Sequence, residues 1–134
     1  MKNRDATKSG LCGAERVDAR AVEQAKANLS TAMTLNRTSG VFKVLGHAGR
    51  LKVLEALDGQ ELCVCELAEV LGMSMSGISQ QLRELRRLGA IDFRVSGKFA
   101  YYRIEDPYWL ALARSVTERL GSSDIQEQVI KQAI

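Results

Sequence analysis

Two of the three cysteines in this 134-residue chain lie one residue apart, at Cys63 and Cys65, in the stretch ELCVCELAEV (61–70). Thiolates bind soft metal ions, and a helix N-terminus favours the thiolate form. On a regular helix, residues two apart point to different sides. Both sulfurs can therefore reach one ion only if Cys63 lies before the helix or in its irregular first residue. The stretch predicts half of a metal site; the alternative is a pair of small buried hydrophobic residues.

The third cysteine, Cys12, lies in a polar N-terminal region. The chain is 46% hydrophobic and 26% charged, as ordinary globular proteins are. The first residues, MKNRDATKSG, lack the apolar run of a signal peptide, and no stretch is long and apolar enough to span a bilayer. We therefore expect a cytoplasmic protein whose thiols stay reduced and form no disulfide framework.

Positive charge is concentrated in one segment. The chain has a formal net charge of +3, whereas the segment 74–103 holds six basic and two acidic side chains and the remainder is net negative. Basic residues gathered in one segment are typical of proteins that bind nucleic acid. A solvated charged face is the alternative explanation.

Hydrophobic periodicity predicts several short helices in the middle of the chain. Two of them meet near Gly46–Gly49. Two more are separated only by GMS (72–74), with Ser74 as the cap of the second helix, and this spacing is typical of a helix-turn-helix. Another helix is expected after Pro107.

A β-hairpin is predicted directly after the helix-turn-helix. IDFRV (91–95) and FAYYRI (99–104) are β-branched and aromatic, and Gly97 supplies the turn between them. Helices, a helix-turn-helix and a basic hairpin, in this order, predict a winged helix-turn-helix. The expected fold class is therefore mainly α with a small β-hairpin, an α+β fold.

Both ends of the chain carry weaker signals. We expect a partly helical N-terminal arm over residues 1–37, where a thin apolar stripe is formed by Val17, Ala21, Ala25 and Leu29. The polar stretch NRTSG (36–40) predicts a break before a DNA-binding domain over 38–105. The remainder, 106–134, holds the last long helix and a tail in which Asp124 could cap a short helix.

Hydrogen-bonding side chains mark the predicted DNA contact surface. A recognition helix enters the major groove by its N-terminal end, where short polar groups reach base edges. That end, with one arginine a turn further on, carries Ser74, Ser76, Ser79, Gln80 and Arg83. On the hairpin, Arg94 and Lys98 are expected to approach phosphate or the minor groove.

Three stretches resemble the ArsR/SmtB family of metal-responsive bacterial repressors: LGHAGRLKVLEAL (45–57), ELCVCELAEVLGMSMSGISQQLRELRRLGAI (61–91) and YYRI (101–104). The resemblance implies a homodimer, with residues 106–134 in dimerisation, that binds operator DNA and dissociates when metal binds. Two departures occur. Ala48-Gly49 replaces the usual Pro-Thr or Pro-Asn at a helix start, and Met75 replaces a base-contacting Gln.

The resemblance also implies a ligand set. Cys63 and Cys65 match the cysteines of cadmium, lead, zinc and arsenic sensors, but the third cysteine of one arsenic-sensing subgroup is Ala68 here. In the CadC-like cadmium/lead subgroup, which this chain resembles most, an N-terminal arm supplies the missing thiolate, and Cys12 lies in a comparable arm. A second family site on the last helix is expected to be missing, because Tyr108 replaces its histidine after Asp106.

Three sulfur ligands favour Cd(II) or Pb(II), with As(III), Sb(III) or Zn(II) as further candidates. Zn(II) usually takes four ligands, and the only histidine, His47, is interpreted as structural. A thiol-redox or persulfide-sensing regulator using the same cysteines is the alternative function. A ligand-free architectural DNA-binding protein is another alternative. An enzyme is not expected, because the chain lacks a Cys-x-x-Cys βαβ context and a histidine beside a nucleophile.

Overall fold

The computed structural model describes residues 16–122. Cys12 and the short helix predicted near Asp124 lie outside the described residues. The chain falls into two compact units, one ending at Arg37 and the other beginning at Thr38.

Helix α1 (Ala19–Asn28) lies in the first unit, where the thin apolar stripe predicted a helix. It begins after Asp18, whose carboxylate accepts a hydrogen bond from the backbone N–H of Arg20 at 3.0 Å. This contact satisfies one of the N–H groups that every helix start leaves unpaired.

Helix α2 (Ala32–Leu45) runs through the stretch NRTSG (36–40), so the predicted break there was wrong. A single glycine in a helix costs only about 1 kcal/mol relative to alanine. The C-terminal part of α2 offsets that cost, because Leu45 is buried in the core and Val41 and Val44 pack against it. A polar sequence is therefore a weak indicator of a helix end when apolar residues follow at helical spacing.

Four further helices make up most of the second unit: α3 (Ala48–Ala56), α4 (Val64–Leu71), α5 (Met75–Leu88) and α6 (Pro107–Gly121). Their apolar faces meet in one core cluster, which consists of Leu45, Val53, Leu54, Leu57, Leu67, Ile78, Leu82, Leu85, Ala90, Ile91 and Leu110. The short helices predicted on either side of Gly46–Gly49 are confirmed as α2 and α3.

Helices α4 and α5 form the predicted helix-turn-helix. Helix α4 ends at Gly72, which has a φ of 61°, and the backbone N–H of Met73 bonds the carbonyl of Ala68. Only glycine adopts this left-handed conformation without a steric cost, which explains the sharp end of the helix. Ser74 then caps α5.

The sheet contains three strands, β1 (Leu62–Cys63), β2 (Ile91–Ser96) and β3 (Phe99–Ile104), in the order β1-β3-β2. Strands β2 and β3 form the predicted hairpin, with Gly97 at a φ of 62° in the turn. Strand β1 was not predicted. It pairs antiparallel with β3, so that Leu62 lies opposite Tyr102 and Cys63 opposite Tyr101.

The predicted fold class is confirmed: the described chain is mainly α-helical with a small antiparallel sheet, arranged as a winged helix-turn-helix. No helix within residues 16–122 has the length and apolar character needed to cross a membrane.

Candidate nucleic-acid interface and thiol pair

The N-terminus of α5 presents short polar side chains. The Ser74 hydroxyl accepts a hydrogen bond from the backbone N–H of Gly77 at 3.1 Å, and its Oγ lies 3.3 Å from Oγ of Ser76. Ser74 is therefore engaged as the helix cap. Ser76, Ser79 and Gln80 are exposed, so their hydroxyl and amide groups are accessible at the helix end that a major groove would receive.

A basic cleft of about 440 Å³ lies beside this helix and is lined by Ser79, Arg83, Arg86, Arg87 and Tyr102. Three guanidinium groups in one cleft suit a polyanion such as a phosphate backbone. Sequence analysis selected only Ser79 and Arg83 among these residues. The three-to-four-residue spacing of Arg83, Arg86 and Arg87 could have revealed the two missed arginines. Tyr102, which comes from β3, had no such local signal.

The arginines of the cleft differ in how firmly other residues hold them. The Arg86 guanidinium lies 4.4 Å from the centroid of the Phe93 ring and 4.0 Å from the Asp92 carboxylate. Arg87 pairs with Glu84 at 3.4 Å. Within residues 16–122, no ion pair involves Arg83, which is exposed. Arg83 is therefore the cleft arginine that can turn to a phosphate without breaking an existing contact.

The two cationic residues predicted on the hairpin are placed differently. Lys98 is exposed in the turn between β2 and β3. Arg94 instead forms an ion pair in which its Nε lies 2.5 Å from Oε2 of Glu61. Its guanidinium also lies 5.1 Å from the centroid of the Tyr101 ring. Contact between Arg94 and phosphate would therefore compete with Glu61.

Cys63 is the N-cap residue of α4 and Cys65 lies in the first turn, so Cys63 precedes the helix as the two-residue spacing requires. Cys63 is buried, at 7% exposure, whereas Cys65 is exposed; neither forms a disulfide. The backbone N–H of Cys63 donates to the Glu66 carboxylate at 2.8 Å. This capping contact fixes the backbone at the start of the thiol pair.

The described chain supplies no further ligand beside the two thiols. Within residues 16–122, no group of three or more His, Cys, Asp or Glu side chains is arranged to hold a metal ion. Two soft sulfur donors suit a thiophilic ion, but a three-coordinate site needs one more donor. In such a site, the third donor would come from outside residues 16–122 or from another molecule.

His47 has a structural role. Its Nδ1 accepts a hydrogen bond from the backbone N–H of Gly49 at 3.1 Å and so caps α3. A Cβ on residue 49 would lie 3.0 Å from Cε1 of His47, so glycine at that position leaves space for the imidazole ring. Asp106 similarly caps α6, because its carboxylate accepts from the N–H of Tyr108 at 3.0 Å.

A buried polar contact that sequence analysis missed supports α5. Gln81 is 7% exposed, and its Oε1 accepts a hydrogen bond from Nε of Arg50 at 2.9 Å. The same guanidinium donates to the carbonyls of Val44 at 3.0 Å and Lys43 at 3.3 Å, at the end of α2. Arg50 thus connects the recognition helix to two other helices of the same unit.

The sequence is similar to those of known proteins. Residues 47–92 match the family described as "Bacterial regulatory protein, arsR family". The chain is 33% identical over 114 residues to the transcriptional repressor SmtB homolog of Synechocystis sp., which covers 85% of this chain and 86% of that protein. It is 38% identical over 86 residues to the cadmium resistance transcriptional regulatory protein CadC of Listeria innocua, covering 63% of this chain and 71% of that protein.

The fold is also that of a solved structure, the homodimeric winged helix-turn-helix DNA-binding domain from Mycobacterium bovis. The two are 30% identical with a TM-score of 0.58, over 65% of this chain and 83% of that one. A winged helix-turn-helix with a basic cleft along its second helix is a DNA-binding module rather than a catalytic one. The chain belongs to the ArsR/SmtB family of DNA-binding transcriptional regulators, and it is not an enzyme.

Proposed function

We propose that this protein is a metal-responsive repressor that binds operator DNA as a homodimer and dissociates when a thiophilic metal ion binds Cys12, Cys63 and Cys65. The observation that carries this proposal is the position of the thiol pair: Cys63 caps the helix directly before the recognition helix and also lies in the sheet of the wing. Through Cys63, a bound ion would be attached both to the helix-turn-helix and to the sheet of the wing. The cadmium-resistance regulator among the relatives supports the same inference.

DNA binding is assigned to the exposed end of α5 and to the wing. Ser76, Ser79 and Gln80 would contact base edges, while Ser74 holds the helix start that presents them. Arg83 would bind phosphate from the basic cleft, and Lys98 would do so from the turn of the wing. A homodimer would place two such helices one helical turn, or a multiple of it, apart on an inverted repeat, and the homodimeric relative supports this assembly.

The donor set supports a soft metal ion as inducer. Cys63 and Cys65 provide two sulfurs, and Cys12 is the only other cysteine in the chain. Three thiolates suit Cd(II) or Pb(II) best, with As(III) and Sb(III) as further candidates. Zn(II) ranks lower because it usually takes a fourth ligand, and His47 could serve only by giving up its bond to Gly49.

A titration tests this function. The reduced protein is titrated with Cd(II), Pb(II), As(III), Sb(III) and Zn(II) in turn, while operator affinity is measured by fluorescence anisotropy at fixed salt. We expect at least one of the soft ions to lower operator affinity by about 5- to 150-fold, the usual range of coupling between two sites. Operator affinity that no ion changes would refute the metal-responsive function.

Thiol oxidation or persulfidation at the same cysteines is a second candidate function, and the exposure of Cys65 favours it. The two functions differ in what they require. Metal-driven release persists in excess phosphine reductant and is reversed by a chelator. Release by oxidant or persulfide is abolished by the reductant and unaffected by the chelator.

A further inference from the structure

The thiol segment is joined to the wing through the sheet. Strand β1 pairs with β3, which places Cys63 opposite Tyr101. Cys63 is thus held on two sides, as the N-cap of α4 and as the last residue of the strand beside the wing hairpin. A displacement of Cys63 therefore acts directly on the sheet that carries the wing.

Glu61, two residues before Cys63, binds the arginine of the wing. Its Oε2 lies 2.5 Å from Nε of Arg94, and the Arg94 guanidinium lies 5.1 Å from the centroid of the Tyr101 ring. Arg94 and Tyr101 are cross-strand partners in the β2–β3 ladder, so their side chains lie on the same face of the sheet. Glu61 and Tyr101 together fix the direction of the guanidinium.

This ion pair can open at small cost. The Arg94 and Glu61 side chains are 51% and 32% exposed, and ion pairs at such positions contribute little to stability. An arginine paired with a carboxylate cannot give its full charge to a phosphate, and the carboxylate itself repels DNA. The structure shows the closed state, with Arg94 on Glu61; opening of the pair would give an open state in which Arg94 is available to DNA.

We propose that Glu61 is a positioning residue that restrains Arg94 in the closed state, and that metal binding at Cys63 favours this state. The second part rests on the proposed function. An ion at Cys63 would fix the end of β1, and fixing that strand reduces the movement by which Glu61 releases Arg94. DNA selects the open state and metal the closed state, so the two ligands oppose each other.

The first experiment uses the metal-free protein and an operator titration at several salt concentrations. Glu61→Gln is expected to bind DNA about two- to fivefold more tightly. The slope of log K against log salt should steepen by at most about 0.9, the value for one phosphate, because in the parent's DNA complex Arg94 is divided between Glu61 and phosphate. In an Arg94→Gln background, Glu61→Gln should leave the slope unchanged and should tighten binding less than it does in the parent, because only the repulsion between the carboxylate and DNA is then removed.

A matched control separates restraint of Arg94 from the loss of a negative charge. Glu69 is exposed on α4 and forms no ion pair within residues 16–122, so Glu69→Gln removes an equivalent charge, frees no arginine and leaves the Glu61–Arg94 pair intact. Its salt slope should match that of the parent. The proposal is overturned if Glu61→Gln, with a normal thermal unfolding transition, leaves affinity and slope unchanged, weakens binding, or behaves as Glu69→Gln does.

Cd(II) tests the coupling to the thiol pair. The metal-driven loss of operator affinity should be at least about threefold smaller in Glu61→Gln than in the parent. Equal losses in the two proteins would overturn the coupling. A parent that does not respond to Cd(II) or to any other soft ion would instead refute the proposed function, and only the metal-free effects on affinity and slope would then support the restraint of Arg94.

Discussion

The recognition helix and the thiol segment are neighbours in the sequence, but the described chain supports them to different degrees. Helix α5 is capped by Ser74, buries Ile78, Leu82 and Leu85, and is tied through Gln81 to Arg50. In the thiol segment, Cys63 is fixed and buried, whereas Cys65 is exposed and no third donor lies beside it within residues 16–122. The proposed DNA-contacting surface is therefore preformed, while the proposed metal site would need a donor from outside residues 16–122. A site completed by ligand binding can change the conformation of the protein, which a preformed one does less readily.

The largest expected effect comes from removing either thiol of the pair. Cys63→Ser or Cys65→Ser should abolish metal-driven release from the operator, because the ion then loses one of the two thiolates that attach it to the helix-turn-helix. Metal-free operator affinity should stay within about twofold of the parent, since neither residue lies on the exposed face of α5. Anisotropy titrations with and without Cd(II) measure both quantities.

Val64→Ala is the matched control, because Val64 lies between the two cysteines and leaves both thiols in place. It should retain the metal response. Stability provides a further distinction: Cys63→Ser places a hydroxyl in a buried position and should cost about 1 kcal/mol, while the exposed Cys65→Ser should cost nothing measurable. Loss of metal-free DNA binding in both serine variants would show that the pair is structural.

A smaller effect is expected when the support beneath α5 is removed. Gln81→Ala leaves the Arg50 guanidinium without its side-chain acceptor and should lower the free energy of unfolding by about 1–3 kcal/mol. Gln80→Ala, at the exposed neighbouring position, should change unfolding by less than about 0.5 kcal/mol. Urea denaturation of the metal-free protein compares the two. Equal stabilities would show that α5 does not depend on the buried contact.

Local signals in the sequence were sufficient to predict the helix-turn-helix and the hairpin. Gly72 and Ser74 mark the helix boundaries by their own backbone and side-chain preferences, and the apolar spacing of α5 is regular. The NRTSG stretch failed as a signal for a helix end, because the packing of Val41, Val44 and Leu45 outweighs the low helix propensity of its residues.

Contacts between distant residues left no local pattern to predict from. Strand β1 has only two residues and exists because β3 pairs with it, so no alternation could indicate it. The Arg50–Gln81 and Glu61–Arg94 contacts join residues 31 and 33 positions apart. Each of these four side chains is charged or carries an amide, and the sequence alone does not distinguish it from an ordinary solvated side chain. The fold was therefore predictable, whereas the connection from the thiol segment to the wing was not.

Removing one phosphate contact should have a moderate effect on DNA binding alone. Arg83→Ala is expected to weaken operator binding by about 1 kcal/mol and to reduce the magnitude of the salt slope by about 0.9. Lys52→Ala is the control, because Lys52 is exposed on α3, outside the basic cleft, and its loss removes the same charge. Identical salt slopes for the two variants would place Arg83 away from the DNA. The unfolding transition should not move in either variant. The loss of DNA affinity in Arg83→Ala would then not result from lost stability, unlike the effect of Gln81→Ala.

The most limited effect is predicted for Cys12, and it tests whether the thiol pair is completed by the N-terminal arm. If Cys12 is the third ligand, the sulfur-to-Cd(II) charge-transfer band of the parent should have about three-thiolate intensity and should fall by about a third in Cys12→Ser. Cd(II) affinity should decrease but not be lost, because Cys63 and Cys65 still bind the ion weakly. Metal-free operator binding should stay unchanged. Ser9→Ala, a conservative change in the same arm, should leave the band intact.

Mixing Cys12→Ser with Cys63→Ser protein shows whether Cys12 binds with the thiol pair of its own chain or with that of the partner subunit. Mixed dimers regain one complete site if each arm serves the partner's pair, and none if each arm serves its own chain, provided that the subunits exchange. A band that is unchanged in Cys12→Ser, with unchanged metal-driven release, would remove Cys12 from the site.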